Sequence, residues 1–305
     1  MARVCGVARR LPHGCVAYLA LAFLLSGAAD AGNGANFVLY DHHLAKKGET
    51  EINLYNDVSN IGSGEEDYAA QLVEFEHGVT GYWTTAFYLE GDHVDGEEYE
   101  FGGWRFENRL RLFEEATILN PVLYAEYEDV KSAHRYLLTV AGRTDAAEEE
   151  EEGETELREE AEEEIERALE TRLILGHDFS DRFNVAFNWI NETNVKTGKW
   201  EFGYAAGLNY VFYEAGASEG DKAPEVAPAG DWGLEKLTLG VELYGGLGDS
   251  QLGMTLDPNN TEQYLGVNLL GEWENHLHFG IGGAFGLTDD SENAILRLTA
   301  GYEFE

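Results

Sequence analysis

Residues 294–304 read Ala-Ile-Leu-Arg-Leu-Thr-Ala-Gly-Tyr-Glu-Phe, with Glu305 after them. Side chains of an extended strand alternate between its two faces. Ala294, Leu296, Leu298, Ala300, Tyr302 and Phe304 therefore share one face, and Ile295, Arg297, Thr299, Gly301 and Glu303 share the other. The first face ends in two aromatics and the second holds both charges. A strand with lipid on one side and a polar interior on the other has this pattern. A half-buried strand of a soluble sandwich alternates in the same way, so the rest of the chain must decide.

Working back from this stretch, the same alternation recurs. Twelve strands are predicted: Glu49–Val58, Tyr68–Glu76, Tyr82–Glu90, Tyr99–Leu112, Val122–Glu128, one starting between Ile165 and Leu169, Phe183–Glu192, Trp200–Tyr213, Leu234–Gly245, Gln263–Trp273, Leu277–Leu287 and Ala294–Phe304. The fourth is the clearest, with Trp104, Phe106, Leu110 and Leu112 against Arg105, Glu107, Arg109 and Arg111. The seventh sets Phe183, Val185, Phe187 and Trp189 against Asn184, Asn188 and Glu192. Connections after the second, sixth and tenth strands are short, while those on the alternate side are mostly long, as in a membrane barrel with both chain ends at one rim. The long link Glu214–Gly233 is an exception. Residues 145–164 form an acidic insertion that is either a helix or an open loop, since its leucines and alanines also fall at helical spacing.

The start of the chain reads as a secretory leader. Arg3, Arg9 and Arg10 precede an apolar run from Cys15 to Leu25, and Ala29-Asp30-Ala31 is a cleavage site of the A-x-A kind. Residues 1–31 are expected to be the leader, 32–47 a lead-in segment and 48–305 the barrel. Both cysteines, Cys5 and Cys15, lie in the leader, so disulfides are not expected to stabilise the mature chain. The chain carries 58 Asp and Glu against 20 Lys and Arg, a formal charge of −38. That balance disfavours nucleic acid, whose phosphates need basic side chains, and it suits cations. The fold expected is thus all-β: one antiparallel up-and-down transmembrane barrel of about twelve strands in the bacterial outer membrane, whose closed sheet leaves no backbone group unpaired in lipid.

Two resemblances point the same way. Tyr302-Glu303-Phe304 resembles the C-terminal signature of bacterial outer-membrane barrels, which implies recognition by the barrel assembly machinery through Tyr302 and Phe304. Here Phe304 is penultimate, with Glu305 after it. Leu44-Ala45-Lys46-Lys47-Gly48-Glu49, Glu76-His77-Gly78-Val79-Thr80, Leu175-Gly176-His177-Asp178-Phe179 and Gly286-Leu287-Thr288-Asp289-Asp290-Ser291 together resemble outer-membrane proteins of the phenol meta-degradation-pathway type. Those motifs are turns and strand ends; they imply the fold and a channel or transporter role.

The inward faces carry the chemistry. The lumen-lining set is Arg105, Glu107, Arg109, Arg111, Glu126, Glu128, Glu170, Arg172, Glu192, Glu201, Glu242, Glu272 and Arg297. Rings of carboxylate favour cations in a pore, whereas an Arg–Glu network would fill and stiffen a closed interior. The function expected is a narrow, cation-preferring channel for small solutes, in which removal of Arg109 would widen the path. A structural barrel holding a partner such as a redox protein is the alternative. A lipid hydrolase is a weaker third reading, because no serine lies in a Gly-x-Ser-x-Gly turn and Ser132 and His134 sit at a loop edge. No cofactor or metal is expected, since Asp41-His42-His43 and His276-x-His278 show no partner at ligand spacing.

Overall fold

A computed structural model describes residues 36–59, 68–94, 99–113, 117–131, 165–215, 233–250, 253–254 and 261–304. The leader and the acidic insertion lie outside the described residues. The strands are β1 (Thr50–Ser59), β2 (Tyr68–Thr80), β3 (Trp83–Val94), β4 (Glu100–Arg111), β5 (Val122–Lys131), β6 (Ile165–Ser180), β7 (Phe183–Asn194), β8 (Trp200–Glu214), β9 (Leu234–Asp249), β10 (Gly253–Met254), β11 (Gln263–Trp273), β12 (Leu277–Gly286) and β13 (Ala294–Phe304). Each wall strand pairs antiparallel with its neighbours, β8 pairs with β9, and β13 pairs with both β12 and β1. Twelve strands close into a barrel, and the two-residue β10 only pairs antiparallel with the end of β9. Among the described residues no helix is long and apolar enough to cross a membrane.

The C-terminal strand closes the sheet. Leu298 lies opposite Asn56 on β1 and Ile281 on β12, and its alternation holds along the whole strand. Leu296, Leu298, Tyr302 and Phe304 are exposed on the outside, while Arg297 and Thr299 are buried within. We call the rim where β1 begins and β13 ends the terminal rim, and the opposite one the distal rim. Several strands run further than their sequence suggests. Gly91 and Asp92 read as a loop, yet β3 continues to Val94 because Asp92 points into the barrel, only 2% exposed.

The outer surface is an apolar belt. Phe75, Phe87, Leu89, Phe106, Leu173, Phe187, Leu243, Leu269, Ile281 and Leu298 are all exposed there. Aromatics mark both rims: Tyr82, Trp83, Phe179, Tyr302 and Phe304 at the terminal one, Tyr99, Phe101 and Trp200 at the distal one. An apolar band between aromatic girdles is what a hydrocarbon layer requires of a barrel exterior. Phe187→Arg, in the middle of β7, should therefore cost roughly 2–4 kcal/mol in detergent or lipid unfolding, against about 0–1 kcal/mol for Asp181→Arg in the turn that follows β6. Equal costs at the two positions would mean that the belt does not face lipid.

Candidate functional site: a plugged, acid-lined lumen

Residues 36–49 do not lie outside the wall. From the terminal rim they turn up into the lumen, where side chains from most of the strands hold them. Phe37, Val38 and Leu39 are 4%, 4% and 2% exposed. Their three backbone N–H groups donate to the carboxylate of Glu242 on β9: Val38 at 3.0 Å, Leu39 at 2.9 Å, and Phe37 in the shortest of the three contacts. Arg297 on β13 donates to the Phe37 carbonyl at 2.9 Å and stacks over the Phe37 ring. Arg172 on β6 donates to the Val38 carbonyl at 2.8 Å. Asn188 on β7 accepts from the Tyr40 N–H and donates to its carbonyl, at 2.9 and 2.7 Å. Asn36 donates to Asn209 on β8, and Arg111 on β4 to the His42 carbonyl.

The plug is therefore held by wall side chains standing in for a ladder. A buried backbone without partners is costly, and here each peptide group from Phe37 to Tyr40 finds at least one. The Tyr40 hydroxyl then reaches Glu107 on β4 at 3.0 Å, and its ring lies under Arg109 and Arg172. Glycine is needed where the plug meets the wall. At Gly78 a side chain would strike the carbonyl oxygens of Lys46 and Ala45, and at Gly282 the Asn268 amide and the Phe37 ring. One void remaining between plug and wall, lined by Phe37, Val38, Tyr40, Leu72 and Tyr88 among others, measures about 30 Å³. That is room for a water or two and not for a solute.

Around the plug, the wall is unevenly charged. Among the described residues, Asp57, Glu74, Glu76, Glu90, Asp92, Glu107, Glu126, Glu128, Glu170, Glu192, Glu242 and Asp249 are buried, against Arg105, Arg109, Arg172 and Arg297. Of the remaining lumen-lining residues named from the sequence, Arg111, Glu201 and Glu272 are only half-buried. Glu201 stands at the distal rim, and Glu272 at the terminal rim beside Lys236. Register adds an order that no single strand reveals. Glu107 lies directly opposite Glu126, Glu126 opposite Glu170, Glu170 opposite Glu192, Glu192 opposite Glu201, and Glu201 opposite Asp249. Because Asp249 and Glu201 sit at the distal ends of their strands and Glu107 lies deep in β4, this row descends from the distal mouth to Tyr40.

Like charges directly opposite one another destabilise a sheet. Basic groups interleave the row. Arg105 lies 3.6 Å from Glu126 and 3.5 Å from Glu128, and it donates to Glu90 at 2.9 Å. Arg109 hydrogen-bonds Glu76 and forms an ion pair with Glu107 at 2.6 Å. Arg172 bonds Glu170 at 2.5 Å, and Lys199 reaches Glu201 and Asp249 at 3.4 and 3.1 Å. The filled-interior and acid-lined readings thus both describe this lumen. With the plug seated in front of it, removing Arg109 does not by itself widen a path.

The two histidine pairs separate. His276 sits in a turn with a positive φ of 64° and faces Tyr302, while His278 points inward to Asn53 at 2.6 Å. His42 and His43 instead meet at one wall residue, Asp178 of β6. Burial disfavours a charge on His43, but Asp41 and Asp178 on either side of it outweigh that and raise its pKa to about 10. Ser132 and His134 lie outside the described residues.

No family model matches the chain, and no curated protein does. Among solved structures it is similar to the COG4313 outer membrane channel from Pseudomonas putida F1, at 13% identity over 87% of this chain and 98% of that one, with a TM-score of 0.47. It is also similar to the KdgM porin, at 10% identity over 84% and 99% of the two chains and a TM-score of 0.46. The NanC porin follows at 8% identity over 83% and 99%, with a TM-score of 0.45.

Proposed function

We propose that this protein is a bacterial outer-membrane channel for small solutes, preferring cations and held shut by its own N-terminal segment. The observation that carries the reading is the descending row from Asp249 and Glu201 to Glu107, which ends against Tyr40 of the plug. A line of carboxylates in a confined lumen raises the local cation concentration, and salt screens the effect. The apolar belt and its girdles support placement in an outer membrane, and Tyr302 and Phe304, outward on the closing strand, suit a signal for barrel assembly.

Protein lacking residues 36–47 should conduct in planar bilayers. Its reversal potential in asymmetric KCl should show cation preference, weakening as total salt rises. A folded barrel is recognised by faster migration on a denaturing gel before boiling than after. An anion-selective current would remove the cation reading. No current from a demonstrably folded deletion protein would leave a structural barrel, which the densely bonded lumen otherwise also fits.

A further inference from the structure

We propose that His42, His43 and Asp178 form a binding site for one divalent transition-metal ion of the zinc class, joining the plug to the barrel wall near the terminal rim. His42 Nε2 and His43 Nε2 each lie 3.2 Å from the same oxygen of Asp178, Oδ2. All three atoms fall within 4.8 Å of one another. Ligands at about 2.0–2.1 Å from a tetrahedral zinc stand roughly 3.3 Å apart, so two edges of the ligand triangle already have that length. Nitrogen and carboxylate donors in this ratio suit zinc, copper or nickel better than calcium or magnesium, which favour all-oxygen sites.

The groups behind the ligands are placed as a metal site needs them. Asp41, only 2% exposed, accepts from the His43 N–H at 2.8 Å and sets its other oxygen 3.2 Å from His43 Nδ1. A carboxylate this close to the far nitrogen favours the tautomer with the proton on Nδ1 and leaves Nε2 for the ion. Asn184 donates to the second oxygen of Asp178 at 2.7 Å and so orients that carboxylate. Gly176 gives the His42 ring its space, because a Cβ there would lie 2.9 Å from the ring Cγ. Both imidazoles turn the same way, with ring centroids 4.1 Å apart. His43 and Asp178 keep 18% and 20% of their side-chain surface exposed, which leaves an approach for the ion and for a water as fourth ligand.

Binding requires only the seated plug and not a conducting barrel, so it stands or falls separately from the channel reading.

The test is a titration of metal-free, folded barrel in detergent with Zn²⁺ against a chromogenic chelator, with Co²⁺ as a spectroscopic probe. One equivalent should bind, and Co²⁺ should show the intense visible bands of a tetrahedral site. Asp41→Asn should weaken binding roughly 10–100-fold. His43→Ala and Asp178→Asn should remove the equivalent, whereas His276→Ala with His278→Ala should leave it intact. Each variant is first checked for barrel folding by its gel mobility before and after heating, and Asp178→Asn keeps the shape of the side chain. No equivalent in the parent protein would overturn the proposal and leave a hydrogen-bonded latch. So would an equivalent that survives both His43→Ala and Asp178→Asn.

Discussion

Glu242→Ala should turn a mostly closed barrel into one that opens for long intervals. The Glu242 carboxylate is 1% exposed and accepts from the N–H groups of Phe37, Val38 and Leu39, and from Asn268 at 3.2 Å. Hydrogen bonds to a buried charge contribute about 1.5–3 kcal/mol each, and losing the acceptor leaves the donors buried and unpaired. Allowing for non-additivity, the seated plug should lose roughly 3–6 kcal/mol relative to a released one, which shifts that equilibrium by about 10²–10⁴. Glu242→Gln keeps the shape and one acceptor oxygen, so its effect should be intermediate. Single-channel recordings of both variants beside protein lacking residues 36–47 give the measurement, with the deletion setting the fully open level. A silent Glu242→Ala beside a conducting deletion would place the clamp elsewhere, on Arg297, Arg172 or Asn188.

The wall was legible in the sequence because each strand residue reports its own side. Trp104 and Phe106 go to the outer face and Arg105 and Glu107 to the interior whatever their neighbours do. Strand number followed from counting those alternations. The row from Glu107 to Asp249 was not legible, since it depends on the offset of each strand against the next, and those offsets are fixed by pairing between strands rather than by alternation within one. The ends of β3 were missed for a related reason. Gly91 and Asp92 are loop formers in water, but a polar lumen accepts Asp92 as readily as solvent does.

The plug left almost no periodic trace. Its backbone is satisfied by Glu242, Asn188, Arg172 and Arg297, residues scattered over four strands, so no repeat in residues 36–47 announces it. The one signal was the run Phe37-Val38-Leu39-Tyr40, four apolar residues in a row in a segment that nothing else required to be buried. The meeting of His42 and His43 with Asp178 was equally hidden. His43 and Asp178 stand 135 positions apart, and only the closed sheet with the plug inside it brings them together.

Arg109→Ala should be among the most destabilising single changes in the wall. Arg109 is 0% exposed, hydrogen-bonds Glu76 on β2, pairs ionically with Glu107 on its own strand, and lies 5.0 Å above the Tyr40 ring. Breaking a buried ion pair by removing one partner costs about 3–5 kcal/mol, because the other charge stays buried without compensation. Here two carboxylates lose their cation at the point where the acidic row meets the plug, and Glu107 keeps only the Tyr40 and Tyr88 hydroxyls as donors, at 3.0 and 2.6 Å. The loss should appear as a lower urea midpoint at unchanged slope, in detergent or lipid. Arg109→Lys restores the charge but not the planar fork that reaches both acids, so it should recover only part of the loss. Combining Arg109→Ala with Glu107→Gln should cost less than the sum of the two single changes, since the second relieves one of the stranded charges. A double variant no better than additive would mean that Arg109 acts by filling space beneath Tyr40 and not by holding the two carboxylates together.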